Sequence, residues 1–222
     1  MGGAVLRTGA IAAVVLALVL PVCSQNAPAP KPRIGAHLPK DEIQMSSSYH
    51  GMRLLLYGTV SPGCEVIVKL SSKRVPVTYA RKGRVGGFWF TVGKVTFRNV
   101  PWMFKIRSTR PLDEILPPEE QVRYRVGRRG LEASIRSAPG TPPELLDDMI
   151  QTRMENLLYS FHQGGVARVK GNMFEASFYW PPRAPQGVYH IDSMAVKDGK
   201  VVAVDSELIH VQEVGIEAWV SE

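Results

Sequence analysis

Residues Gly93–Leu112 read GKVTFRNVPWMFKIRSTRPL. Apolar residues alternate with polar and basic ones on both sides of a proline, and that alternation decides the fold class. In Lys94–Val100, Val95 and Phe97 take one face while Lys94, Thr96 and Arg98 take the other. After Pro101, Trp102, Phe104 and Ile106 share a face opposite Met103, Lys105 and Arg107. A period of two residues marks a strand with one buried side. Proline has no N–H to give to a ladder, so Pro101 predicts a break, bulge or edge between two strands. Trp102, Phe104 and Ile106 are then the expected core, and Lys105 and Arg107 the expected working face. Ser108–Leu112 leaves the sheet, and Pro111 suits the first turn of a helix.

Upstream, strand signals recur at short intervals in Glu42–Ser48, Met52–Val60, Cys64–Leu70, Val75–Ala80 and Phe88–Val92. Turn residues separate them, with a basic tip at Arg81–Arg84 before Gly86-Gly87. Downstream the period moves toward 3.6. Thr141-Pro142-Pro143-Glu144 reads as a capping box with prolines in the first turn. An apolar stripe follows from Leu145 to Phe161 and is expected to end at Gly164-Gly165. A shorter helix is expected over Glu119–Val126. Strands return in Met173–Trp180, Val188–Lys197 and Val201–Val211, the last two joined across Asp198-Gly199-Lys200 as a hairpin. The expected fold is mainly β, an immunoglobulin-like β-sandwich of one or two units with an α-helical insertion. Its expected segments are 1–24 (signal peptide or N-terminal anchor), 25–41 (Pro-rich linker), 42–112 (first sandwich part), 113–165 (helical insertion) and 166–222 (second sandwich part).

The net charge of +7 is unevenly spread. Residues 25–112 hold fifteen Lys and Arg against three acids, whereas residues 113–222 hold eleven against seventeen. Either the two halves complement each other, or the first half offers a basic face to an anionic partner. Arg98, Lys105, Arg107, Arg110, Arg81, Lys82 and Arg84 are the candidate residues of that face, with Lys73 and Arg74 beside them.

The N-terminus, MGGAVLRTGAIAAVVLALVLPVCSQ, places Arg7 ahead of an apolar run of signal-peptide length. Cleavage before Gln25, lipidation of Cys23 and a retained anchor are the three fates open to it. Export argues against nucleic acid as a partner. Cys64 opens an apolar strand and reads as a small buried hydrophobe.

Chemistry-bearing patterns are missing from the sequence. The five histidines (His37, His50, His162, His190 and His210) show no metal-binding spacing. No nucleophile elbow, phosphate loop or dinucleotide fingerprint occurs. Adjacent carboxylates at Glu119-Glu120 and Asp147-Asp148 diverge on a helix. His190 and His210 fall on neighbouring expected strands. No cofactor, metal or catalytic residue is expected.

The segments VTFRNVP (Val95–Pro101), STRPL (Ser108–Leu112), APQGVY (Ala184–Tyr189), DGKVV (Asp198–Val202) and EVGIEAWV (Glu213–Val220) carry a resemblance. Together they resemble an uncharacterised bacterial family, the transmembrane proteins of alphaproteobacteria, over roughly Glu42–Val220. The resemblance implies an export signal, an extracytoplasmic domain and a C-terminal membrane helix. After Trp219 this sequence carries no spanning run, so a member without that helix and a sequence that stops short of it are both open. The expected function is a non-enzymatic, periplasm-facing envelope protein acting as an interaction or accessory module at the membrane. Its expected partner is a membrane surface or an integral membrane protein. The resemblance also implies gene neighbours that are sulfite-exporter-like permeases, which gives the alternative of a small-anion (sulfur oxyanion) binding accessory.

Overall fold

The computed structural model describes residues 31–182 and 184–214, with no side-chain description for residues 81, 82, 85, 89 and 163. Cys23 and the expected signal segment lie outside the described residues. The body from Pro32 onward is a compact unit of its own. In chain order its strands and helices are β1 (Ile34–His37), β2 (Glu42–Met45), β3 (Met52–Val60), β4 (Glu65–Ser72), β5 (Arg74–Val85), β6 (Phe88–Pro101), β7 (Phe104–Ser108), α1 (Leu112–Ile115), α2 (Pro118–Arg123), α3 (Gly127–Ser134), α4 (Pro143–Glu155), β8 (Tyr159–Arg168), β9 (Met173–Trp180), β10 (Gly187–Lys197) and β11 (Lys200–Glu213).

Nine strands run in the order β1-β3-β9-β8-β7-β4-β10-β11-β2, and β5 with β6 forms a separate two-stranded arm. The two strand-rich portions of the sequence interleave: β3 pairs with β9, and β4 pairs with β10. The sheet curls, so that β1 lies beside β11 and the Ala36 N–H donates to Asp205 Oδ2 at 2.7 Å. The inner core forms where the curled halves face each other. Leu54, Leu56, Phe174, Phe178 and Trp180 meet Val66, Val68, Leu70, Ile191 and Ile209 there. Trp180 packs edge-on to Tyr189 with ring centres 4.6 Å apart.

A second core explains why Val66–Val68 is a continuous apolar run. Val66, Val68 and Leu70 face the inner core, whereas Ile67 points the other way. There Ile67, Phe104, Ile106, Met194 and Val196 are covered by Leu116, Leu131, Met149 and Ile150 of the helical segment. A strand covered on both faces keeps no polar side. Each such side chain, once fully buried, contributes about 1.5–3 kcal/mol.

Several expectations are corrected. The expected linker, 25–41, includes β1, which pairs with β3 from Ile34↔Val60 to His37↔Tyr57. The Thr141 hydroxyl does not cap α4; it donates to the Ala138 carbonyl, and Pro142 is the residue at the cap. The apolar stripe does not stay helical to Gly164. Leu157 adopts φ 58°, which ends the helix, and Tyr159–Phe161 pair instead with β7 as a strand. The expected helix over Glu119–Val126 is α2, which ends at Arg123 ahead of Arg125 at φ 51°, and α3 follows it as a further helix outside that expectation. Trp102 is not core: it sits in the bend between β6 and β7 and is 40% exposed. Arg153, itself buried, lies 4.6 Å over the Trp102 ring and donates to the Trp102 carbonyl at 2.8 Å. Phe104 and Ile106 are buried as expected. The Asp198-Gly199 hairpin is present, with both residues at positive φ.

Candidate interaction surface

The β5–β6 arm is the feature that departs most from an ordinary globular surface. Its strands pair from Arg74↔Pro101 to Val85↔Phe88, and Gly86 and Gly87 close the turn at φ 57° and 92°. Positive φ at both central residues is what a tight two-residue hairpin demands, and glycine meets it without strain. The base of the arm is packed: Phe97 and Val100 are in the helix-side core, with Val77 and Val95 against it. Farther out, Tyr79, Ala80, Val95 and Phe97 face Leu145 and Met149 of α4 across a groove of about 180 Å³. Beyond Ala80 and Val95, residues 81–93 make about 15 Å of two-stranded ribbon. On that ribbon Phe88 is 72% and Phe90 53% exposed, and Val92 is exposed as well.

Large apolar side chains at a tip are normally withdrawn, because leaving them in water forfeits the stabilisation of burial. Here the charge pattern reinforces the anomaly. No Asp or Glu occurs from Val66 to Leu112, whereas Arg74, Arg81, Lys82, Arg84, Lys94 and Arg98 all belong to the arm. Arg84 is exposed, with its Nε donating to the Gly87 carbonyl at 3.3 Å. Lys94 and Arg98 are exposed too; Arg98 exchanges backbone hydrogen bonds with Arg136. The side chains of Arg81 and Lys82 lie outside the described residues. Arg74, at the base, is half-buried and donates to the Ser134 hydroxyl at 2.8 Å.

The other members of the expected basic face do not join it. Arg110 lies past β7 and is paired with Glu114 at 2.6 Å. Lys105 and Arg107 point into the body, where they close a fork in the sheet. The first half of β8 pairs in parallel with β7, and its second half pairs antiparallel with β9. Gly164 and Gly165, at φ 87° and 84°, carry the strand across the gap. Carbonyls of β9 are thereby left without a strand partner, and two cations supply the donors. Lys105 Nζ donates to the Tyr179 carbonyl at 2.5 Å, and Arg107 Nε donates to the Ser177 carbonyl at 3.2 Å. Arg107 Nη1 also donates to the Ser160 hydroxyl, which is 2.6 Å from His162 Nδ1. Lys105 is only 2% exposed. Burial, and secondarily the charge of Arg107, lowers its pKa to about 8. A surface alternation read from sequence places these two side chains outward; the curl of the sheet turns that face inward.

A family model matches residues 33–222. The chain belongs to the family described as "Putative transmembrane protein (Alph_Pro_TM)". No curated protein matches it. Among the described residues of this Alph_Pro_TM member, no helix is long and apolar enough to cross a membrane. Nor, among the described residues, do His, Cys, Asp or Glu gather in a group able to hold a metal ion. His190 pairs with Leu208 and His210 with Val188, so the two histidines are diagonal neighbours on an exposed face rather than an opposed pair. Cys64 is a buried free thiol. Asp147, one of the adjacent carboxylates, is tied to Arg128 at 2.7 Å, linking α4 to α3.

The residues that sequence reading passed over are Phe88, Phe90 and Val92. Their signal was present: three consecutive aromatics, Phe88-Trp89-Phe90, beside a Gly-Gly turn in an acid-free segment. What the sequence does not show is that, among the described residues, no element covers that turn.

Proposed function

We propose that this chain is a non-enzymatic interaction module of the cell envelope, exported through its N-terminal segment, and that the β5–β6 arm is its contact element. One observation carries the reading: a ribbon projecting beyond the packed body presents Phe88 and Phe90 to solvent, backed by cations with no acid among them. The body behind it supplies rigidity, because the base of the arm is anchored in the helix-side core. Membership in a transmembrane-protein family agrees with a membrane setting. The two facing halves of the curled sheet favour the immunoglobulin-like reading of the sandwich. No observation favours the small-anion alternative.

A photo-crosslinking residue introduced at Phe88, compared with one at the exposed Val204 of β11, tests this reading in intact cells. Adducts are expected at position 88 and not at 204. Equal or absent adducts at the two positions would remove the arm as the contact element.

A further inference from the structure

We propose that the arm's partner is the interfacial layer of an anionic lipid bilayer, with Phe88 and Phe90 inserted and Arg84 and Lys94 held at the headgroups. This rests on the reading of the β5–β6 arm as the contact element and names what it contacts.

The order of residues along the arm favours lipid. Phe88 and Phe90 are outermost, Val92 follows, Lys94 opposite Ala80 comes next, and Arg98 is nearer the base. Along β6, apolar groups at the extremity with cations behind them reproduce the layering of a bilayer interface, where rings and methyls sit below the headgroup charge. Arg84 is the one described cation close to the turn, level with Trp89 and with its Nε on the exposed Gly87 carbonyl; its long stem lets the guanidinium exchange that bond for a headgroup while its methylenes stay among apolar groups. Phe90 and Lys94 are four residues apart, or about 13 Å along a strand. That spacing matches the 5–10 Å to which interfacial elements bury their apolar faces, with headgroups above.

The charge pattern points the same way. The whole segment from Val66 to Leu112 lacks an acid, so the complementary surface is anionic. Such a one-signed arm is attracted to any dense anionic surface, and the exposed aromatics select one with an apolar interior. Cross-strand pairing up to the Val85↔Phe88 pair satisfies the inward-facing half of the ribbon's backbone groups, and its two open edges suit the hydrated headgroup layer rather than the hydrocarbon. That limits the cost of taking backbone out of water.

The test uses the full chain with Cys23→Ser and Val92→Cys, carrying an environment-sensitive dye at position 92. Cys64 is buried and stays in place. A second chain carries the dye at Val204→Cys. Vesicles containing phosphatidylglycerol should shift the dye at 92 to the blue, and brominated acyl chains should quench it, while the dye at 204 is unaffected. Pure phosphatidylcholine vesicles should give little shift. The double variant Arg84→Gln with Lys94→Gln should raise the lipid concentration for half-maximal quenching about thirtyfold, about fivefold for each near-surface cation. Arg84→Lys with Lys94→Arg should restore it. Phe88→Ser with Phe90→Ser should abolish quenching.

No quenching at 92 with anionic vesicles, equal quenching with neutral ones, or indifference to the charge variants would overturn the proposal. If crosslinking at 88 in cells persists while vesicles give no quenching, the arm contacts a protein: this inference falls and the contact reading stands. If neither occurs, both fall.

Discussion

Raising the pH from 7 to 9.5 should stabilise this fold, and Lys105 is the group responsible. A lysine in the unfolded chain titrates near its ordinary 10.5, whereas Lys105 in the fold titrates at about 8, chiefly because it is buried. Between those values the unfolded chain holds a proton that the folded chain has released. Stability rises with pH wherever the unfolded state binds more protons. Over the full interval the gain is about 3 kcal/mol, and between pH 7 and 9.5 it is about 2 kcal/mol. The Nζ still donates to the Tyr179 carbonyl when neutral, so the seam stays closed while the buried charge disappears. Urea unfolding of the parent and of Lys105→Met, at pH 7, 8, 9 and 9.5, isolates the effect because other titrations cancel in the difference. With a slope of about 2 kcal/mol per molar urea, the parent midpoint should move up by about 1 M relative to the variant. Parallel midpoints for the two chains would refute the reasoning: Lys105 would then be either solvated or already unprotonated at pH 7.

The trend should reverse above pH 10, because burial raises the Tyr49 hydroxyl to about 12 and pushes Tyr159 and Tyr189 up as well. The fold then keeps protons that the unfolded chain gives up; a melting series from pH 9.5 to 11 checks the fall. Gly165→Ala should cost about 1–3 kcal/mol by denaturation, since φ is 84° and the new Cβ would lie 2.4 Å from Arg107 Cδ. Leu56→Ala, at a fully buried position of the inner core, should cost about 2–5 kcal/mol. Arg153→Ala should cost about 2 kcal/mol or more, through loss of its bond to the Trp102 carbonyl and its stacking on Trp102 and Tyr159, and should raise proteolysis at the β6–β7 bend.

Local chemistry made much of the fold legible. The bounds of β3 and β9 coincide with the apolar runs, because each strand is delimited by its own turn residues. The Asp198-Gly199 hairpin and the start of α4 follow from backbone preferences that act within a few residues. The end of α4 was not legible. Leu157, Leu158 and Phe161 continue a helical spacing, and only pairing with β7 makes Tyr159–Phe161 a strand. The basic face was legible as composition and not as geometry: Arg84, Lys94 and Arg98 are exposed, Arg110 is neutralised by Glu114, and Lys105 and Arg107 are structural donors.

The sequence by itself determined the mainly β character, the reversal of charge at Asp113 and the cationic, acid-free composition of the arm, because each is a property of neighbours along the chain. Only the tertiary structure shows that both sides of β7 are inside, Phe104 and Ile106 on one and Lys105 on the other. Alternation says that two faces differ, but the curl of the sheet covers the polar face as well, and the forked β8 places carbonyls where cations are needed. The same distinction holds at the arm: strand pattern specifies a hairpin, and only the tertiary structure shows that among the described residues α4 reaches its base and not its tip.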